Sequence, residues 1–206
     1  MNMTNQFDQR ALTWDADPTK TARAQAVAEA MRRRVPLAPT LRALEYGCGT
    51  GLLSFALHQA LGPITLADSS DGMLAVLADK LAARPDLRMR PLKLDLGTDA
   101  LPGERFDLIY ALMTFHHIDD VDKVLAAFHA LLDAPGYLCI ADLDAEDGSF
   151  HGPGFTGHRG FERDDLAARV RRAGFAGADF DTVFRITKND SPGQKEFPVF
   201  LMVARK

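Results

Sequence analysis

Short apolar runs alternate with helix-spaced apolar positions over most of this 206-residue chain. That alternation is the signature of a mostly parallel sheet covered by helices. Phe7, Ala11 and Trp14 fall at i, i+4 and i+7, which predicts a short helix over 6–14. Asp17-Pro18-Thr19 reads as a turn and helix start. A helix follows over 21–34, with Val27, Ala30 and Met31 on its apolar side and Pro36 and Pro39 behind it. The first strand is predicted at 41–46, and a helix at 52–61 is stopped by Gly62-Pro63. A second strand at 64–67 ends at Asp68, and the helix over 71–83 carries Met73, Leu74, Leu77 and Leu81 on one stripe. The third strand, 87–94, is broken by Pro91, which suits an edge, and Asp95 stands at its end. Residues 106–112 are nearly all apolar and predict a central fourth strand.

The second half continues in the same way. A helix is predicted at 119–132, a turn at Pro135-Gly136 and a fifth strand at 137–143. The glycine-rich loop 144–160 is long enough to suggest a functional role. A helix over 162–173 meets Gly174, a natural cap, before strands at 180–187 and 197–204. Residues 188–196 are too few for a crossover helix, so these last two strands pair antiparallel. The expected fold is α/β: a doubly wound, seven-stranded, mostly parallel sheet with a C-terminal antiparallel hairpin. Residues 1–39 are expected to form a helical cap segment on residues 40–206, one domain overall.

Composition narrows the function classes. Apolar residues make up 47% and charged residues 25%, ordinary for a soluble domain with one core. No run approaches the roughly 20 apolar residues of a membrane span, and the N-terminus lacks a basic-then-apolar leader. A cytoplasmic protein without membrane partners is expected. The net charge of −4 gives no general attraction for nucleic acid. Arg32-Arg33-Arg34 and Arg171-Arg172 fall near predicted helix ends, where cations suit the dipole. Cys48 and Cys139 form no metal-ligand spacing and read as reduced, buried thiols.

The chemistry-bearing motif is Glu45-Tyr46-Gly47-Cys48-Gly49-Thr50-Gly51, set between a strand and a helix. Glycines let the chain turn tightly and a ligand approach, and the helix N-terminus behind them offers unpaired N–H groups. A dinucleotide fingerprint needs G-x-G-x-x-G, and its third glycine falls on Leu52 here. The Lys-Ser/Thr of a phosphate-binding loop is missing too, so a cofactor without a pyrophosphate is favoured. Asp68 has two readings, acceptor for a bound ligand or helix cap. Asp95 likewise reads as a ligand contact or only a turn former. Cys48 is expected to offer backbone atoms only.

These residues resemble the class I S-adenosylmethionine-dependent methyltransferases. LEYGCGTGLLS is similar to their first motif, and FDLIYALMTFHHI (106–118) and LLDAPGYLCIADL (131–143) resemble their later ones. The N-terminal FDxxAxxWD resembles the cap of small-molecule members. The resemblance covers about residues 40–206 and implies a Rossmann-like fold, S-adenosyl-L-methionine as cofactor and S-adenosyl-L-homocysteine as product. It assigns cofactor contacts to Glu45, Gly47, Cys48, Gly49, Gly51, Asp68, Ser69, Met73, Asp95, Leu96, Leu112 and Met113. Asp68 would hold the ribose, Asp95-Leu96 the adenine, and Glu45 the methionine amine indirectly.

The sulfonium methyl is already activated, so the protein must mainly bind and orient. His116 and His117, after the fourth strand, are the candidate bases, although either one can instead only cap or brace. His151 and His158 are expected to line the substrate pocket, and Phe7 and Trp14 to form a lid or merely anchor the first helix. No metal is expected, because two loop histidines lack further ligands. The Asn/Asp-Pro-Pro-aromatic loop of nucleic-acid amine methyltransferases is replaced by Leu112-Met113-Thr114-Phe115. The acidic metal site of catecholate enzymes and the paired glutamates of arginine methyltransferases are missing as well. A small-molecule acceptor remains, taken by a monomer or homodimer. A nicotinamide-dependent oxidoreductase and a non-catalytic cofactor-binding regulator are the alternatives.

Overall fold

The computed structural model describes residues 3–191 and 193–206. Seven strands form one sheet in the order β3-β2-β1-β4-β5-β7-β6. They are β1 (Ala43–Tyr46), β2 (Ile64–Asp68), β3 (Met89–Lys93), β4 (Phe106–Leu112), β5 (Leu132–Leu143), β6 (Ala176–Ser191) and β7 (Gly193–Arg205). The first five are parallel, and β7 inserts antiparallel between β5 and β6. From β1 the chain winds outward to β3, then returns to β4 on the other side of β1. Ligands bind at such reversals, beyond the carboxyl ends of the strands.

Helices cover both faces of the sheet. They are α1 (Met3–Arg10), α2 (Pro18–Arg34), α3 (Leu52–Leu57), α4 (Asp71–Ala82), α5 (Val121–Leu131) and α6 (Arg163–Arg172). One core packs α2 and α3 residues Val27, Met31, Leu53 and Leu57 against Leu66, Leu108 and Tyr110. The other packs α5 and α6 residues Leu125, Phe128, Leu166 and Val170 against Leu44 and Ile109. Burial on both faces explains why β4 reads as a continuous apolar run. Polar residues set the helix starts. Asp17 caps α2 through Thr19 N (2.9 Å), Ser70 caps α4 through Met73 N (3.1 Å) and Asp120 caps α5 through Lys123 N (3.0 Å).

The sequence reading and the structure differ in several places, among them the helix expected over 52–61, which is α3 followed by a 3-10 helix, His58–Ala60. The helix expected over 6–14 is α1 followed by a 3-10 helix, Ala11–Ala16. The turn expected at Pro135-Gly136 is instead part of β5. Phe106 pairs with Leu132 and Leu108 with Tyr137, so residues 133–136 are accommodated as a bulge. The last two strands also run past their predicted ends, with Thr187 paired to Glu196 and Lys188 to Lys195. This polar ribbon carries little of the apolar alternation by which a half-buried strand is recognised. Among the described residues, no helix is long and apolar enough to cross a membrane.

Candidate active site

The loop after β1 is built by its glycines. Gly47, Gly49 and Gly51 have φ of +68°, +53° and +85°, the left-handed region open to glycine. The N–H groups of Gly47 and Cys48 both donate to Ala67 O (2.8 and 3.0 Å), which drapes the loop over the end of β2. There the Asp68 carboxylate accepts from Gly49 N at 2.7 Å and Ser70 N at 2.9 Å. Burial raises the Asp68 pKa, against the pull of these N–H groups. The capping role belongs to Ser70, not Asp68. Ser69 is exposed on this turn and Met73 is buried beneath it. Met73 Sδ and Trp14 Nε1 each lie 3.8 Å from where a Gly49 side chain would begin.

Glu45 is fully enclosed. Its carboxylate accepts from the Ser54 hydroxyl and from Ser54 N (3.2 Å), and Ser54 Oγ lies 2.6 Å from Tyr110 OH. Burial pushes its pKa up to about 8, only partly offset by the Ser54 bonds. Glu45 therefore ties the start of α3 to β1. Cys48 is a buried free thiol whose pKa burial pushes well up, as expected of a residue without nucleophilic duty.

The remaining expected contacts stand along the same sheet edge. Asp95 Oδ1 accepts from Gly97 N (2.8 Å), a turn-forming bond, and Leu96 N donates to Tyr46 OH (3.0 Å). Leu112 ends β4. Met113 follows with φ +55°, a strained value for a non-glycine residue and one with no signature in the sequence. Its N–H donates to Ala141 O at 2.8 Å, which helps hold the strain.

The imidazoles gather beside this edge. His116 and His117 lie in the 3-10 helix Phe115–His117 directly after β4. His116 is 1% exposed, and its Nδ1 lies 2.6 Å from Oδ1 of Asp142, which is 0% exposed near the end of β5. Burial alone would raise the Asp142 pKa; His116 and three hydrogen bonds outweigh it and hold the carboxyl below its ordinary value. Burial lowers His117 to about 3, so its ring is neutral at physiological pH. His151 reaches in from the loop after β5, its ring centre 5.0 Å from that of His116 and 5.4 Å from that of His117. His158 does not join them. Its Nε2 bonds Ile118 O (3.0 Å), so it braces the loop.

The N-terminal segment reaches the same place. Phe7 packs edge-on to His117 (5.1 Å) and to Trp14 (5.9 Å). Its anchors are two aspartates that the sequence reading passed over. Asp8 accepts from Ser70 Oγ (2.6 Å) and Gly72 N (2.8 Å), and Asp15 from Thr50 Oγ1 (2.5 Å) and Lys80 Nζ (2.9 Å). Both were present in the FDxxAxxWD pattern. Asp142 was also missed, since a lone acid inside an apolar strand carries no spacing signal.

The chain is similar to known proteins. A family profile described as a methyltransferase domain matches residues 44–138. An uncharacterized methyltransferase of Schizosaccharomyces pombe is 28% identical over 152 residues, 66% of this chain and 54% of that protein. A ubiquinone biosynthesis O-methyltransferase of Azorhizobium caulinodans is 33% identical over 113 residues, 53% of this chain and 43% of that one. The chain thus spans about half the length of these curated relatives. The fold matches Haemonchus contortus phosphoethanolamine N-methyltransferase 2 in complex with S-adenosyl-L-methionine. That match has TM-score 0.71 and 16% identity over 87% of this chain and 52% of that one.

Proposed function

From the match of residues 44–138 to a methyltransferase-domain profile, we propose that this chain is a class I, S-adenosylmethionine-dependent methyltransferase that methylates a small-molecule acceptor. One observation carries the reading. The glycine loop and Asp68 face each other at 2.7 Å beside the sheet's reversal, with the imidazole cluster at the adjoining end of β4. Asp68 and the Asp95-Leu96 turn receive the nucleoside of S-adenosyl-L-methionine. Gly47, Cys48, Gly49 and Gly51 give it close backbone approach, with Glu45 bracing the loop from within. Ser69, Met73, Leu112 and Met113 complete the walls. Bound there, the cofactor supplies an electrophilic methyl group and leaves as S-adenosyl-L-homocysteine.

The chain's own work is on the acceptor. His116, oriented by Asp142, and His117 activate the attacking atom. Phe7, Trp14 and the 1–39 segment close over the site and keep water out, and the loop carrying His151 and His158 shapes the acceptor's pocket. The acidic net charge supports a small metabolite rather than a nucleic acid as acceptor.

The test is to incubate the protein with trideuteromethyl-labelled cofactor and a small-metabolite extract, then follow the label by mass spectrometry. Label in a metabolite is expected. His116→Gln and His117→Gln should each lower that transfer about 10²–10⁴-fold, the size of effect expected when a group that helps the acceptor lose its proton is removed. Cofactor affinity should stay within a few-fold of the parent. Label that enters only a protein or nucleic-acid fraction would overturn the acceptor class.

A further inference from the structure

We propose that His116, His117 and His151 form a binding site for a divalent transition metal, with zinc the best match. One ring nitrogen from each of the three lies within 4.8 Å of the others. They come from two neighbouring segments, the 3-10 helix after β4 and the loop after β5. Imidazoles on a tetrahedral ion, with metal–nitrogen bonds of about 2.0–2.1 Å, hold their ring centres about 5 Å apart. The observed separations are 4.0, 5.0 and 5.4 Å.

Two further observations point to a ligand. His116 Nδ1 is committed to the buried Asp142 carboxylate, which leaves its Nε2 lone pair free toward the cluster. A carboxylate behind a histidine is the arrangement that orients metal-binding imidazoles and raises their basicity. His117 Nδ1 is buried and has no hydrogen-bond partner among the described residues. Buried polar atoms without partners are rare and call for an explanation. The three rings make no hydrogen bond to one another among the described residues, so mutual hydrogen bonding does not account for their convergence.

The donor set selects the ion. Three neutral nitrogens suit zinc, cobalt, nickel or copper and not magnesium or calcium, which take oxygen ligands. Three protein ligands also leave a fourth position open, as in catalytic zinc sites.

The inference rests on the reading of this cluster as the acceptor's end of the site and supplies the means of activation. An acceptor hydroxyl bound at the open position loses its proton to water more readily. Its oxygen then forms a bond to the sulfonium methyl as the carbon–sulfur bond breaks, leaving S-adenosyl-L-homocysteine.

The experiment is a titration of the purified, chelator-treated protein with Co²⁺, read by visible absorption, then Zn²⁺ competition. One equivalent with the intense bands of tetrahedral cobalt is expected. His151→Ala, a change in an exposed loop residue, should weaken binding at least about 100-fold, and Asp142→Asn about 10–100-fold. Featureless spectra, or His151→Ala binding like the parent, would overturn the site. S-adenosyl-L-methionine affinity measured on the same samples separates the outcomes: retained cofactor binding without metal refutes only the metal site, while metal binding without cofactor binding refutes the methyltransferase reading.

Discussion

Asp142→Ala should destabilise the protein by about 3–5 kcal/mol, since three buried donors lose one carboxylate acceptor and each orphaned group costs about 1–3 kcal/mol. Asp142 and His116 are 0% and 1% exposed. The carboxylate accepts from His116 Nδ1 at 2.6 Å, His116 N at 3.3 Å and Leu143 N at 2.7 Å. Alanine leaves all three without that acceptor, in a site where water does not readily replace it. Asp142→Asn keeps an acceptor oxygen and much of the shape, so its loss should be smaller. Urea denaturation of both variants checks the order. A loss below 1 kcal/mol for Asp142→Ala would mean that the pair does not fix the cluster. This acid lies at the carboxyl end of β5 and reaches the chain after β4, so one side chain links a core strand to the reacting end of the site.

Gly47→Ala should abolish measurable cofactor binding and cost roughly 1–3 kcal/mol of stability. Two effects act together. The residue holds φ +68°, which disfavours any side chain, and an added Cβ would lie 2.8 Å from Thr114 Cβ, with the Thr114 hydroxyl and methyl closer still. Thr114 cannot simply withdraw, because its Oγ1 lies 3.2 Å from both Gly47 O and Leu112 O and its one proton is shared between them. The strain therefore passes to the loop, which must then lift away from Ala67 O and the Asp68 carboxylate. Calorimetric titration with S-adenosyl-L-methionine checks it. Affinity within threefold of the parent would show that the loop's conformation is not what receives the cofactor.

Periodicity carried most of the fold because this sheet is covered on both faces. β4 and the stripe of α4 leave unambiguous apolar patterns, and Asp17 and Gly174 mark helix ends through their own chemistry. What failed was local and polar. The ribbon formed by the ends of β6 and β7 does not follow the alternation of a half-buried strand, and the bulge at 133–136 takes its shape from pairing with β4. The glycine loop and Asp68 were each legible at a predicted strand end, and the parallel pairing of β1 with β2 sets those ends side by side. The histidines were legible one at a time. Their convergence was not, because His116 and His151 are 35 positions apart and only the paths of the two segments bring them together. His151 with His158 looked like the loop's pair; the structure joins His151 to His116 and His117 and turns His158 toward Ile118.

The central claim, that this glycine loop and Asp68 receive S-adenosyl-L-methionine, is tested most directly by thermal unfolding with added ligands. S-adenosyl-L-methionine and S-adenosyl-L-homocysteine, each at about a hundred times its Kd, should raise the melting temperature by roughly 5–10 °C through preferential binding to the folded state. NAD and NADP should leave it unchanged. A shift with the nicotinamide cofactors and none with the other two would contradict the account at its base.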